Sequence, residues 1–267
     1  LMPYFLKLLG GKSKIVYDPL ANYAQTLYLR AKNSLTQKLK YGLYLALHKL
    51  SLRASNAVIY PSEVDAENAV KMFKKELLGK DVAIEPNPYP ICYKSLQEYQ
   101  KLRQSRSTKK PHFILLAGGK GQNNRETVET TIKAFREVAK HTNNYVLIIT
   151  GPWTEYVDKA PPNTIFTGYV EEEELKRLLA TSDIGLAPVF THAAGSFLKV
   201  LAYIAASLDI ITTVYGLNGL SIREIIKRSK IHLIKSEKDF EKTIEYIIEN
   251  PQLLKRQKSP LLCNEFS

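Results

Sequence analysis

The stretch Asp183–Val214, DIGLAPVFTHAAGSFLKVLAYIAASLDIITTV, decides the fold. DIGLAPV has strand length and is apolar on both faces, as is DIITTV at the other end. Strands of that kind belong in a parallel sheet covered by helices on both sides. Between them a run of small residues enters an apolar helix, Phe197–Ser207. Ser196, preceded by Gly195, is a natural N-cap, and the free N–H groups of a first helical turn form an anion site. Lys199 falls in that turn, where the helix dipole disfavours a cation unless an anion offsets it. That misfit favours a functional reading over a purely structural one. His192 has no Ser or Cys partner in view and reads as a loop residue.

Outward from this stretch the alternation continues. Toward the N-terminus lie the helix EEEELKRLLATS, the strands TIFTG and YVLIITG, the helix Arg125–Lys140 and the strand HFILLAGG. Toward the C-terminus come the helix Gly219–Ser229, the strand IHLI and the helix Asp239–Asn250, closed by Pro251. Before residue 92 the pattern predicts strands over Lys14–Pro19, Asn56–Ser62 and Asp81–Pro90, a long helical region over about Ala21–Ala54, and a helix from Pro61-Ser62 to about Leu78. Strands alternating with helices make this an α/β protein. The segment Cys92–Pro111 is polar, basic and weakly periodic, which suits an interdomain linker.

Charge divides the chain. Residues 1–110 carry 19 Lys+Arg and 8 Asp+Glu, a net of +11; residues 111–267 carry 19 and 18, a net of +1. A basic part beside a neutral part suits an anionic surface or substrate, with a lysine-rich solvated surface as the plain alternative. Cys92 and Cys263 are far apart and form neither a disulfide framework nor a zinc spacing, so a reducing, cytosolic setting is expected. No apolar run reaches the length of a membrane span or of a signal peptide. The chain does not begin with Met, which reads as a fragment or as part of a longer chain.

Two further loops follow strands and enter helices. AGGKGQNNR, Ala117–Arg125, has glycines that let a ligand approach the backbone, with Lys120 and Arg125 as cations. It lacks the Gly-Lys-Ser/Thr ending of a P-loop and the Gly-x-Gly-x-x-Gly pattern, and Gly-Gly after a strand is more often just a turn. TGYVEEEEL, Thr167–Leu175, could present backbone groups to a flat ring, though taken alone a plain strand-to-helix turn is the better account of it. Metal-hydrolase, serine-hydrolase and nucleic-acid-binding signatures are absent.

Taken in order, NAVIYPS, VAIEPNPYP, FILLAGG, YVLIITGP, TIFTGYVEEEELKRLLATSDIGLAPV and GSFLKVLAYIAASLDIITT resemble the two-domain retaining glycosyltransferases of family 4. The resemblance runs from about Lys14 to Asn250 and is most specific between Ile165 and Thr213. It implies a GT-B-type α/β fold, two Rossmann-like parallel-sheet domains facing a cleft, the N-terminal one incomplete. On that reading residues 1–93 form a partial acceptor-side domain, 94–110 a linker, and 111–267 the sugar-nucleotide-binding domain.

The resemblance also assigns roles. Gly118, Gly119, Lys120 and Arg125 would lie near the donor diphosphate, and Gly151 at the donor site. Tyr169 and Val170 would border the base; Gly195, Ser196 and Phe197 would cradle the phosphates beside Lys199. Lys199, Arg125 and Lys120 would then stabilise the leaving nucleoside diphosphate without a metal or another cofactor, the donor being a UDP-, GDP- or ADP-sugar. The expected reaction is transfer with retention to an acceptor such as a lipid-linked saccharide or a polysaccharide. The expected setting is the cytoplasm, with the basic N-terminal half touching an anionic membrane surface on the inner face.

Departures from the family pattern support an alternative. The usual Glu-x7-Glu pair is replaced by Ala194 and Ala202, and losing the second carboxylate leaves a ribose diol unpaired, at about 1–3 kcal/mol. Ser207 stands where glycine is usual, and Asp209 where proline is. The first half of the N-terminal domain and the final returning helix have no counterpart. These features favour a catalytically degenerate relative that binds nucleotide sugar, or a subunit whose partner chain or second copy covers the incomplete domain. Nucleic-acid binding is a third reading with no motif behind it.

Overall fold

The computed structural model describes residues 14–19, 35–191, 198–220, 225, 227–254 and 259–266. The chain divides into two units, the first running to Asn87 and the bulk of the second starting at Pro88.

The first unit is a parallel sheet of three strands, β1 (Val16–Tyr17), β2 (Ala57–Tyr60) and β3 (Asp81–Ile84), in that spatial order. Helix α1 (Leu35–Ala54) connects β1 to β2, and α2 (Glu63–Leu77) connects β2 to β3. Ser62 caps α2 by accepting a 3.0 Å hydrogen bond from the Asp65 amide, which is why the helix starts where Pro61-Ser62 predicts. Leu52, Val58, Tyr60, Phe73 and Leu77 form the core. His48 packs there against Tyr44 and Phe73 and bonds the Tyr17 hydroxyl at 2.9 Å. Apolar side chains also face outward: Leu35, Leu39 and Leu43 along α1, and Val82 and Ile84 on β3.

The second unit opens with α3 (Leu96–Gln104), inside the segment expected to be a linker. Tyr99 is buried and its hydroxyl donates to the Ala206 carbonyl at 3.1 Å; Arg103 donates to the Ala180 and Ser182 carbonyls. Residues 94–110 are thus part of the packed second unit, and the division falls earlier, between Asn87 and Pro88. The composition looks linker-like because the arginines are satisfied by groups far along the chain, which no local pattern reveals.

Six parallel strands follow. They are β4 (His112–Leu116), β5 (Val146–Thr150), β6 (Thr164–Gly168), β7 (Ile184–Ala187), β8 (Asp209–Thr212) and β9 (Ile231–Leu233), arranged β6-β5-β4-β7-β8-β9. Helices α4 (Gln122–Val138), α5 (Glu172–Thr181), α6 (Leu198–Ala205) and α7 (Glu237–Glu249) alternate with them. Phe113, Phe135 and Tyr145 meet edge to face in a core that includes Leu147, Ile149, Trp153, Phe240 and Ile244. Most of the expected Gly219–Ser229 helix can be followed only in part, because residues 221–224 and 226 lie outside the described residues.

Helix α6 ends in a Schellman turn: the Ser207 amide donates to Ile204 and the Leu208 amide to Tyr203. Ser207 takes φ of 55°, the left-handed region where glycine is the usual choice. Its hydroxyl offsets the strain by donating to the Arg228 carbonyl at 2.7 Å and accepting from the Ser259 amide at 3.0 Å.

Contrary to the reading of Cys92 and Cys263 as unpaired, they form a disulfide with Cα atoms 5.1 Å apart. The C-terminal segment lies parallel to the chain at Tyr93, where the Tyr93 amide donates to Leu261 and the Cys263 amide to Tyr93. Sequence separation hid a pairing that this bridge creates, and the ground for inferring a reducing setting goes with it. The closed loop spans a separation of 171 residues. Reduction is expected to lower the unfolding free energy by about 5 kcal/mol in the loop-entropy picture. Urea titrations with and without dithiothreitol would read this as a lowered midpoint; coincident curves would contradict it.

Candidate functional site

The second sheet starts in its middle at β4, walks outward to β6, then returns to β7 on the other side of β4 and walks outward to β9. The direction in which strands are added reverses between β4 and β7, and in open parallel sheets the crevice beyond such a point is where ligands bind. The two strands pair only at Phe113↔Ile184 and Ile114↔Gly185. Past that, Tyr203 of α6 bridges the gap. Its hydroxyl accepts from the Leu116 amide at 2.9 Å and donates to the Leu186 carbonyl at 3.0 Å. Burial raises its pKa, so the hydroxyl stays a donor. A Cβ on Gly185 would come within 2.3 Å of the Tyr203 ring, which explains the glycine in IGLA.

The loop after β4 carries Gly118, Gly119, Lys120 and Gly121 into α4. A Cβ on Gly118 or Gly121 would meet nothing within 4 Å, so the packing there does not demand glycine and leaves open space. Gly151 differs. It has φ of 98°, and a Cβ would fall 2.1 Å from the Ala117 carbonyl oxygen. The Trp153 indole donates to that same oxygen at 2.6 Å, so the glycine expected at the donor site has a packing role that draws the loops after β4 and β5 together.

The three cations expected to act together have different partners. Lys120 forms an ion pair with Glu155 of the loop after β5, at 3.2 Å. Arg125 is exposed and lies near Tyr156, whose hydroxyl donates to Glu129. Lys199, in the first turn of α6, donates from Nζ to the Asn124 Oδ1 at 3.0 Å. Asn124 is neutral, so Lys199, unlike Lys120, meets no carboxylate among the described residues. It is half-buried, and desolvation lowers its pKa to about 8.

Around it, Thr191 at the end of the β7 loop donates to Glu126 at 3.2 Å, and Gln122 donates to the other Glu126 oxygen at 2.8 Å. A shallow cavity of about 220 Å³ lies on this side, with Asn123, Glu126, Phe190 and Thr191 among its lining. Tyr169 is exposed just past the end of β6, with Val170 half-buried beside it. Ala202 is buried within α6. His192, Ala194, Gly195, Ser196 and Phe197 lie outside the described residues.

Sequence reasoning did not single out Asn124, Tyr203, Trp153 or Asp183. Among the described residues no group of three or more His, Cys, Asp or Glu side chains could hold a metal ion. Nor is any described helix long and apolar enough to cross a membrane.

Residues 111–250, more than half the chain, match the family described as Glycosyl transferases group 1. No curated protein matches in sequence. Among solved structures, WaaG, a glycosyltransferase involved in lipopolysaccharide biosynthesis, superposes with a TM-score of 0.68 at 16% identity, over 90% of this chain and 67% of that one. A UDP-forming α,α-trehalose-phosphate synthase from Burkholderia xenovorans gives 0.57 at 11% identity, over 94% and 64%. TarM gives 0.57 at 13% identity, over 80% and 40%. These likenesses show a GT-B-type fold, of which the chain spans about two thirds or less.

Proposed function

Since the chain belongs to the group 1 glycosyl transferases, we propose that it moves a sugar from a nucleoside-diphosphate donor, with retention and without a metal, to a saccharide acceptor. The observation that carries this reading is Lys199, a half-buried ammonium at the switch point of the second sheet whose described hydrogen-bond partner is neutral. Glycosyl transfer leaves a nucleoside diphosphate. A preformed cation in a partly dehydrated place stabilises that charge as it develops, and needs no reorganisation to do so. The open space at Gly118 and Gly121 supports close approach of the diphosphate to the loop after β4.

Calorimetric titration with UDP-glucose, GDP-mannose and ADP-glucose tests the reading. Saturable binding of at least one is expected; absence of heat with all three would overturn it. A second reading, binding without turnover, is favoured by Ala202. Its buried place in α6 offers no carboxylate for the ribose hydroxyls. Donor that binds but is neither hydrolysed nor transferred would decide for that second reading.

A further inference from the structure

We propose that Asn124 is a positioning residue of the donor site, holding the Lys199 ammonium in place without neutralising it. This deepens the donor reading above and rests on it. Asn124 is the third residue of α4 and uses both ends of its carboxamide. Oδ1 accepts from Lys199 Nζ at 3.0 Å, and Nδ2 donates to the Gly119 carbonyl at 2.9 Å. An ammonium can only donate and a carbonyl can only accept, so a single orientation of the amide satisfies both. The side chain thereby ties the lysine of α6 to the glycine loop after β4, across the point where the sheet reverses.

The neighbouring cation shows why neutrality matters. Lys120 is met by the carboxylate of Glu155, which cancels its charge before any ligand arrives. Lys199 is met by a carbonyl dipole, which fixes the position and leaves the positive charge for an anion. Aspartate at 124 would cancel that charge and turn a carboxylate toward the Gly119 carbonyl. Alanine would leave a half-buried ammonium without its acceptor. Other charged groups on these elements are already engaged or remote. Arg125 lies near Tyr156, Glu126 is bonded by Gln122 and Thr191, and Tyr203 is bonded to the strands. Burial lowers the pKa of Lys199, and an acceptor held against the ammonium opposes that shift, so the titration responds to what stands at position 124.

Trace labelling of the Lys199 amine with acetic anhydride across pH 6.5–10, read by mass spectrometry, would follow that titration with no ligand present. The midpoint of Asn124→Ala is expected below the wild-type value of about 8, and that of Asn124→Asp above it. Affinity for pyrophosphate and UDP at pH 7 is expected to fall about tenfold in both variants. A merely structural role would not move the midpoint in opposite directions, and unchanged midpoints in both variants would overturn the proposal. Should the midpoints shift while the wild type binds none of pyrophosphate, UDP, GDP or ADP, the failure lies in the donor reading and not in the Asn124–Lys199 contact.

Discussion

Alanine in place of Asp183 is expected to cost about 3–5 kcal/mol of stability, enough to leave the second unit largely unfolded at moderate temperature. Its carboxylate, 4% exposed, is the acceptor on which three chain segments converge. Arg103 of α3 reaches it at 3.1 Å and Arg106 at 2.7 Å, and the His112 amide at the start of β4 donates at 3.0 Å. Removal would leave two partly buried guanidinium groups without their countercharge and a backbone amide without its acceptor, and a charge stranded in that way is far costlier than the pair is stabilising. Asparagine keeps an acceptor for His112 and should fall between the two. The exposed pair Lys133–Glu237 is the control, since solvent-screened ion pairs contribute little. Urea denaturation followed by circular dichroism would measure all three. A loss below about 1 kcal/mol for Asp183→Ala would contradict the argument.

Lys199→Ala is expected to lower kcat/KM for the donor by about 10²–10³-fold, the effect of deleting one preorganised group that meets developing charge. The pH dependence gives an independent signature. Burial lowers the Lys199 pKa to about 8, so in the free protein the side chain is charged below that value and neutral above it. A diphosphate favours the charged form. Donor affinity should therefore be level below pH 8 and weaken above it, by up to about tenfold per unit, with no such break in the alanine variant. Stability moves the other way. Between about 8 and the ordinary lysine value the unfolded chain binds more protons than the folded one, so folding becomes more favourable as pH rises through that window. Donor affinity that is flat across pH 7–10 in the wild type would remove Lys199 from the role.

Much of the second unit was legible from pattern. Apolar runs such as FILL, VLIIT and DIIT could only be buried parallel strands, and EEEELKRLLATS could only begin as it does, with its carboxylates at the positive end of the helix. Ser62 marked the start of α2 because capping is a contact over three residues. The place of Lys199 was visible for the same reason, as a cation in a first turn. What the pattern misjudged was reach. Cys92–Pro111 looked like a tether because Tyr99, Arg103 and Arg106 find their partners more than 70 residues away. Gly151 looked like ligand space, yet its freedom is taken up by the Ala117 carbonyl.

By itself, then, the sequence determined the alternation of strands and helices and the parallel character of the sheets. Those follow from periodicity and capping, which operate within a few residues of chain. Only the tertiary structure decided which partner each of these lysines meets. Lys120 is met by Glu155 and Lys199 by Asn124, and that difference depends on which loops the sheet order brings side by side. It likewise decided that Cys92 pairs with Cys263 and that Asp183 joins α3 to β4. Partner choice among charged and reactive side chains is set by long-range register, and a one-dimensional pattern carries no record of it.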